Sequence, residues 1–178
     1  LLIISAGIIL TASATKKEVA VDKETPAAPK EEAKEETKKE EVTKIEKIAG
    51  QMQGDVYVGT DSVKYLADGV ADRVFFATNE SILTTASRET LRAQAAWLRE
   101  NSNITVVLEG HADERGTREY NLALGERRAN SAKDYLMTYG VSSDRITVIS
   151  YGKERPVDSG SNPLAWSKNR RSVTVKAN

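Results

Sequence analysis

The sequence predicts an α/β fold, an α+β two-layer sandwich in which a mixed four-stranded sheet carries two main helices on one face. Three observations carry that prediction. Beyond about residue 55, β-branched runs and helical spacing follow one another in the order strand, helix, strand, helix, strand, strand. Each helical stretch has one narrow apolar stripe. The aromatic residues and most of the glycines also fall in this part of the 178-residue chain.

Within VFFATNES the residues Val74, Phe75 and Phe76 open the sheet, and the segment then runs into a polar turn. Between Thr84 and Asn101, Ser87, Leu91, Ala95 and Leu98 recur at three- and four-residue steps, with Arg88, Arg92, Arg99 and Glu100 on the other side, which predicts an amphipathic helix. ITVVLEG follows Asn101-Ser102-Asn103 as a β-branched strand. The second helix is predicted from about Arg118 to Tyr139, with Leu122, Ala129, Ala132 and Leu136 as its stripe. Gly140 ends it, as the residue that takes the left-handed position past a helix end. ITVISYG is the next strand, after a turn with Ser142, Ser143 and Asp144. A loop with Gly160, Asn162 and Pro163 leads through a short helical turn, LAWSKN, to a last strand, SVTVKA. Upstream, DVYVGTDSVKYLADG predicts a peripheral hairpin or irregular extension. The two strand-helix-strand crossovers favour parallel pairing of the strands they join, and the final short connection allows an antiparallel neighbour.

Three regions are expected: a signal-peptide remnant at 1–13, a charged linker at 14–54 and the folded domain at 55–178. LLIISAGIILTA is apolar but too short to span a bilayer, so it reads as the hydrophobic part of a signal peptide. Leu10-Thr11-Ala12 has the small-residue pattern that precedes the lipidated cysteine of bacterial lipoproteins. Ser13 stands at the expected cysteine position, and a serine cannot supply the thioether. From Lys16 to about Lys47 the chain is nearly all Lys, Glu, Ala, Thr and Pro, and buries too little to offset the entropy of ordering. About 40 such residues reach roughly 130 Å fully extended and about 35 Å as a coil. With 26 basic and 26 acidic residues the charge balances, which speaks against nucleic acid as a partner, since phosphate binding needs surplus positive charge. There is no cysteine, hence no disulfide framework and no thiolate metal site.

Chemistry concentrates in EGHADERGTREYNLALGERRAN, residues 109–130, which holds the only histidine, His111. His111 and Asp113 follow the end of a strand, where ligands of α/β sheets collect. A general base His111 oriented by Asp113 lacks an activated nucleophile, and a metal site lacks further ligands beside Asp113 and Glu114, so neither an enzyme nor a cofactor or metal is expected. The remaining functional reading is a charge pair for a zwitterion: Asp113 can accept from an ammonium group, while the Arg128 guanidinium can hold a carboxylate by two parallel bonds. Against this stands the plainer reading that the two residues only bind each other or cap the turn.

The string GHADERGTREYNLALGERRAN, with VFFATNES before it and ITVISYGKERP and NRRSVTV after it, resembles the OmpA-like peptidoglycan-binding domain family, and within it the peptidoglycan-associated lipoproteins (Pal). The resemblance runs from Val74 to about Lys176. It implies a non-catalytic outer-membrane lipoprotein facing the periplasm. Such a protein tethers that membrane to peptidoglycan by gripping meso-diaminopimelate of the stem peptide, as part of the Tol-Pal system of envelope integrity and cell division, with TolB as a further partner. On that resemblance Asp113 and Arg128 would hold the two ends of the zwitterion. Leu124, one turn before Arg128, would pack on its aliphatic part. The loop Ala77-Thr78-Asn79 would offer backbone donors, and Arg115 would meet another carboxylate of the peptide. His111 is expected to be a structural brace whose ring hydrogen-bonds within the loop, Asn169, Arg170 and Arg171 to be structural partners of Glu109 or Glu126, and Trp97 and Trp166 to be packing residues.

Overall fold

A computed structural model of the chain describes residues 39, 43 and 50–177. The signal-like segment and all but the last few residues of the expected linker lie outside these. A hairpin of β1 (Met52–Gln53) and β2 (Val56–Tyr57) begins ahead of the boundary expected at 55. A second hairpin, β3 (Tyr65–Ala67) with β4 (Val70–Ala71), completes the upstream extension. Among the described residues no helix is long and apolar enough to cross a membrane.

The order that follows is β5 (Arg73–Phe75), α1 (Thr85–Glu100), β6 (Val106–His111), α2 (Arg118–Thr138), β7 (Ile146–Gly152), α3 (Pro163–Asn169) and β8 (Arg171–Lys176). Local chemistry sets the helix ends. Thr84 caps α1 by accepting from the Ser87 amide at 3.1 Å, Thr117 caps α2 from Tyr120 at 3.2 Å, and Asn162 caps α3 from Ala165 at 3.0 Å with Pro163 in the first turn. At the far end of α2, Gly140 takes φ +86° and the amides of Gly140 and Val141 return to the carbonyls of Met137 and Leu136.

The four long-range strands stand in the order β5-β8-β6-β7. The α2 crossover joins parallel neighbours, with Val106 opposite Ile146 and Leu108 opposite Val148. The α1 crossover does not, contrary to the pairing expected from it. β8 enters between β5 and β6 and runs antiparallel to both, so that Val173 faces Arg73 on one side and Glu109 on the other. As a result, the start of β8 lies beside the carboxyl ends of β5 and β6.

Both long helices cover one face. Leu91, Ala95 and Leu98 of α1 and Ala129, Ala132 and Leu136 of α2 meet Val74, Phe76, Val106, Leu108 and Ile146 in one core. The α2 stripe is displaced from the expected one, with Leu124 buried and Leu122 only half-buried. One polar residue in the core is satisfied throughout: the Gln94 amide donates to the Ala71 carbonyl and accepts from the Thr174 hydroxyl, both at 2.7 Å. Arg145 closes the open end of α1 by donating to the carbonyls of Leu98, Asn101 and Ile104.

α2 lies against β6 at two glycines. A Cβ on Gly110 would stand 1.9 Å from the carbonyl oxygen of Gly125, and neither backbone can give way cheaply. Gly110→Ala is therefore expected to destabilise the domain by about 1–3 kcal/mol or more through overpacking. Urea unfolding checks this, as a lowered midpoint with an unchanged slope.

Candidate functional site

Because β8 runs opposite to its neighbours, three chain segments meet at one edge of the sheet: the loop after β5, the loop after β6 and the residue before β8. They bring Ala77–Asn79, Asp113 and Arg170 together.

Asp113 is only 7% exposed, and its carboxylate is held by four hydrogen bonds. It accepts from Arg115 Nε at 3.1 Å, Arg115 Nη2 at 2.6 Å and the Arg115 amide at 3.1 Å, and from Arg170 Nη1 at 3.2 Å. Burial by itself would raise its pKa, but the hydrogen bonds and charge of Arg115, joined by Arg170, hold it below the ordinary carboxylate value. Asp113 is thus a negative charge at neutral pH. Arg115 also lies 4.4 Å over the Trp166 ring, and Trp166 Nε1 donates to Glu114 at 2.9 Å, so this loop is braced against α3.

Arg128 is the largest fully buried side chain of the domain. Its Nε donates to the Glu80 carbonyl at 2.8 Å, Nη1 to the His111 carbonyl at 2.8 Å and Nη2 to the Ala77 carbonyl at 3.0 Å. Burial, with Arg170 nearby, pulls its pKa down to about 10, and it stays charged at neutral pH. The guanidinium thus lies beneath the loop after β5 and pins it to the end of β6. Two of its five N–H groups are left over from these bonds. In this loop Asn79 has φ 57°, a left-handed conformation that asparagine tolerates.

Leu124 is buried in the helix face and not at the surface. The sequence reading of Arg170 needs correction: its partners are Asp113 and Asp55, and not Glu109 or Glu126. It sits 3% exposed and also donates to the Phe76 carbonyl at 3.1 Å. Trp166, read from the sequence as packing, is the surface on which Arg115 lies. Asp55 was missed as well. It sits in the turn between β1 and β2, accepts from the Thr78 amide at 2.6 Å and offers its carbonyl to Arg170. Nothing in its local sequence marks it, because its partners are 23 and 115 residues away.

His111 also departs from expectation. Its backbone carbonyl braces Arg128, but neither ring nitrogen has a hydrogen-bond partner among the described residues; Glu109 Oε2 stands 3.7 Å from Nε2. The imidazole is 2% exposed on the sheet face away from the helices, alongside Tyr151. Burial and then the charges of Arg171, Arg73 and Arg155 lower its pKa to about 3, so it is neutral and unsuited to receive a proton in catalysis.

The fold and this charged edge define a class. Residues 75–170, just over half the chain, match the OmpA family, and the chain belongs to it. The relatives then narrow the likeness. The chain is 53% identical over 106 residues to a peptidoglycan-associated lipoprotein of Mesorhizobium japonicum, a match covering 60% of this chain and 63% of that protein. It is 48% identical over 97 residues to the protein of the same description in Pseudomonas aeruginosa, covering 54% and 57%. The matched part thus spans less than two thirds of these curated relatives. Among solved structures, the peptidoglycan-associated lipoprotein from Burkholderia pseudomallei superposes with a TM-score of 0.58 at 33% identity, covering 60% of this chain and 90% of that one. The C-terminal domain of Helicobacter pylori MotB, at 17% identity and a TM-score of 0.56 over 60% of this chain and 84% of that one, shares the fold.

Two expected outcomes follow from the buried groups. Arg128→Ala removes a donor from each of the Glu80, His111 and Ala77 carbonyls, of which Ala77 keeps the Glu80 amide, and is expected to cost about 2–4 kcal/mol of stability, read by urea unfolding. For His111, the unfolded chain takes up a proton near pH 6.5 while the folded chain resists it down to about 3. Stability is full above pH 6.5 and falls by up to about 1.4 kcal/mol per pH unit as the pH drops below it. Asp113 adds loss only at lower pH, since its folded pKa lies below the ordinary carboxylate value. His111→Gln should flatten the profile between pH 6 and 4, as checked by unfolding at a series of pH values.

Proposed function

We propose that this domain is a non-catalytic peptidoglycan-binding module that grips meso-diaminopimelate of the stem peptide and so tethers the outer membrane to the cell wall. The observation that carries the reading is the buried, ionised Asp113 set beside three guanidinium groups, Arg115, Arg128 and Arg170, at the strand ends of an OmpA family domain. The side-chain end of diaminopimelate carries an ammonium and a carboxylate. Asp113 receives the ammonium. The carboxylate goes to the positive side of the site, where Arg128 supplies charge from beneath and the loop Ala77-Thr78-Asn79 supplies backbone donors. Arg115, on the open side of Asp113, meets a further carboxylate of the peptide. Leu124 contributes as packing under the site.

A binding role suits this chemistry better than turnover. The site holds matched charges and an imidazole kept neutral and turned to the other face, with no nucleophile activated beside it. The relatives' description as peptidoglycan-associated lipoproteins supports the same reading. The whole protein is then a lipoprotein of the outer membrane on its periplasmic side, in the Tol-Pal system with TolB as partner. Ser13 stands at the position where such lipoproteins carry the lipid-bearing cysteine.

Cosedimentation with purified peptidoglycan tests the function. The protein should pellet with diaminopimelate-type wall, free meso-diaminopimelate should release it, and no soluble fragments should appear. Lysine-type wall lacks the second carboxylate, and losing one charged hydrogen-bond partner should weaken binding about tenfold or more. Asp113→Ala should abolish pelleting while the protein stays folded; wall binding unchanged by that substitution would sink the assignment.

A further inference from the structure

The loop donor that the ligand needs is already taken. Asp55 Oδ2 accepts from the Thr78 amide at 2.6 Å and lies 3.9 Å from Arg170 Nη2, while Arg170 Nη1 reaches Asp113 at 3.2 Å. One guanidinium therefore stands between two carboxylates, one from the loop after β6 and one from the upstream hairpin. We propose that Asp55 is an internal competitor: its carboxylate occupies the place at Thr78 and Arg170 that a carboxylate of the bound peptide takes, and binding displaces it. This rests on the reading that the Asp113 site receives the stem peptide.

The two carboxylates differ in how firmly they are held. Asp113 is nearly buried and bonded from four directions, whereas the Asp55 side chain is half exposed and has one hydrogen-bond donor, the Thr78 amide. On its Asp55 side the pair with Arg170, at 3.9 Å, is open to solvent, which screens it. Exchange is also neutral in charge, because a carboxylate leaves as a carboxylate arrives, with the ligand's ammonium turned to Asp113. The rest of the hairpin need not move. Tyr57 is 1% exposed, packs edge-on against Phe75 with ring centres 4.7 Å apart, and keeps β2 seated, and the Asp55 carbonyl stays on Arg170 while the Asp55 side chain turns out.

The rival role for Asp55 is to hold Thr78 and Arg170 ready for the ligand, and the two roles predict opposite signs. Asp55→Asn and Asp55→Ala in the full chain are to be titrated calorimetrically with a soluble stem peptide containing meso-diaminopimelate, beside Asp113→Ala. Displacement predicts that both Asp55 variants bind about three- to tenfold more tightly, as when the competent state rises from about 10–30% to full population. In the wild type the Asp55 carboxylate carbon resonance should move on peptide addition toward that of a free aspartate. Affinity that is unchanged or weaker in the Asp55 variants overturns the proposal. If a variant has a lowered Tm, the wild-type resonance decides: movement supports displacement and a fixed shift overturns it. Loss of peptide binding in Asp113→Ala without a gain in the Asp55 variants sinks only the competitor, whereas retained binding in Asp113→Ala sinks the function beneath it.

Discussion

A guanidinium enclosed between two loops and a strand end, with its N–H groups aimed at the carbonyls of Ala77, Glu80 and His111, is what the charged edge of this domain is built around. Those carbonyls lie where strands end and loops begin, and of the three the Ala77 carbonyl also accepts from the Glu80 amide. A planar donor set answers three of them at once, which a lysine could not do with the same geometry. Arg128 sits on α2, and α2 can bring it there only because Gly110 and Gly125 let helix and strand backbones meet. Close packing in one place thus sets the position of a charge in another.

The second constraint is electrostatic. Arg115, Arg128 and Arg170 crowd around Asp113, and burial weakens the charged form of Arg128 and Arg170 while strengthening their attraction to any anion. Carboxylates answer this surplus: Asp113 from within, Asp55 from the hairpin, and in the proposed function one from the ligand. Arg171, one residue on, points to the opposite sheet face and joins Arg73 and Arg155 around the neutral His111. The residue that caps α3 and the first residue of β8 therefore serve different faces.

Much of the fold was legible. The helix over 84–101, its stripe of Ser87, Leu91, Ala95 and Leu98, and the stop at Gly140 depend on spacing and caps that lie within a few residues. The mixed sheet was legible as a class, but the insertion of β8 between β5 and β6 was not, since local propensity carries no record of which strands become neighbours. The expected hydrogen bonds of the His111 ring failed for a related reason: the alternation along β6 sends it away from the loop it was thought to brace.

The sequence alone determined which residues carry charge near the strand end, Asp113 and Arg128 among them, because motif and helical spacing place them within 15 residues of each other. Only the tertiary structure decided what those charges face. Arg170 meets Asp113 across 57 residues, and Asp55 meets Thr78 across 23, because an antiparallel strand starts where two others end and a hairpin folds over the gap. Such meetings depend on topology, and the free energy that selects a topology is spread over the whole core and not written in any one segment.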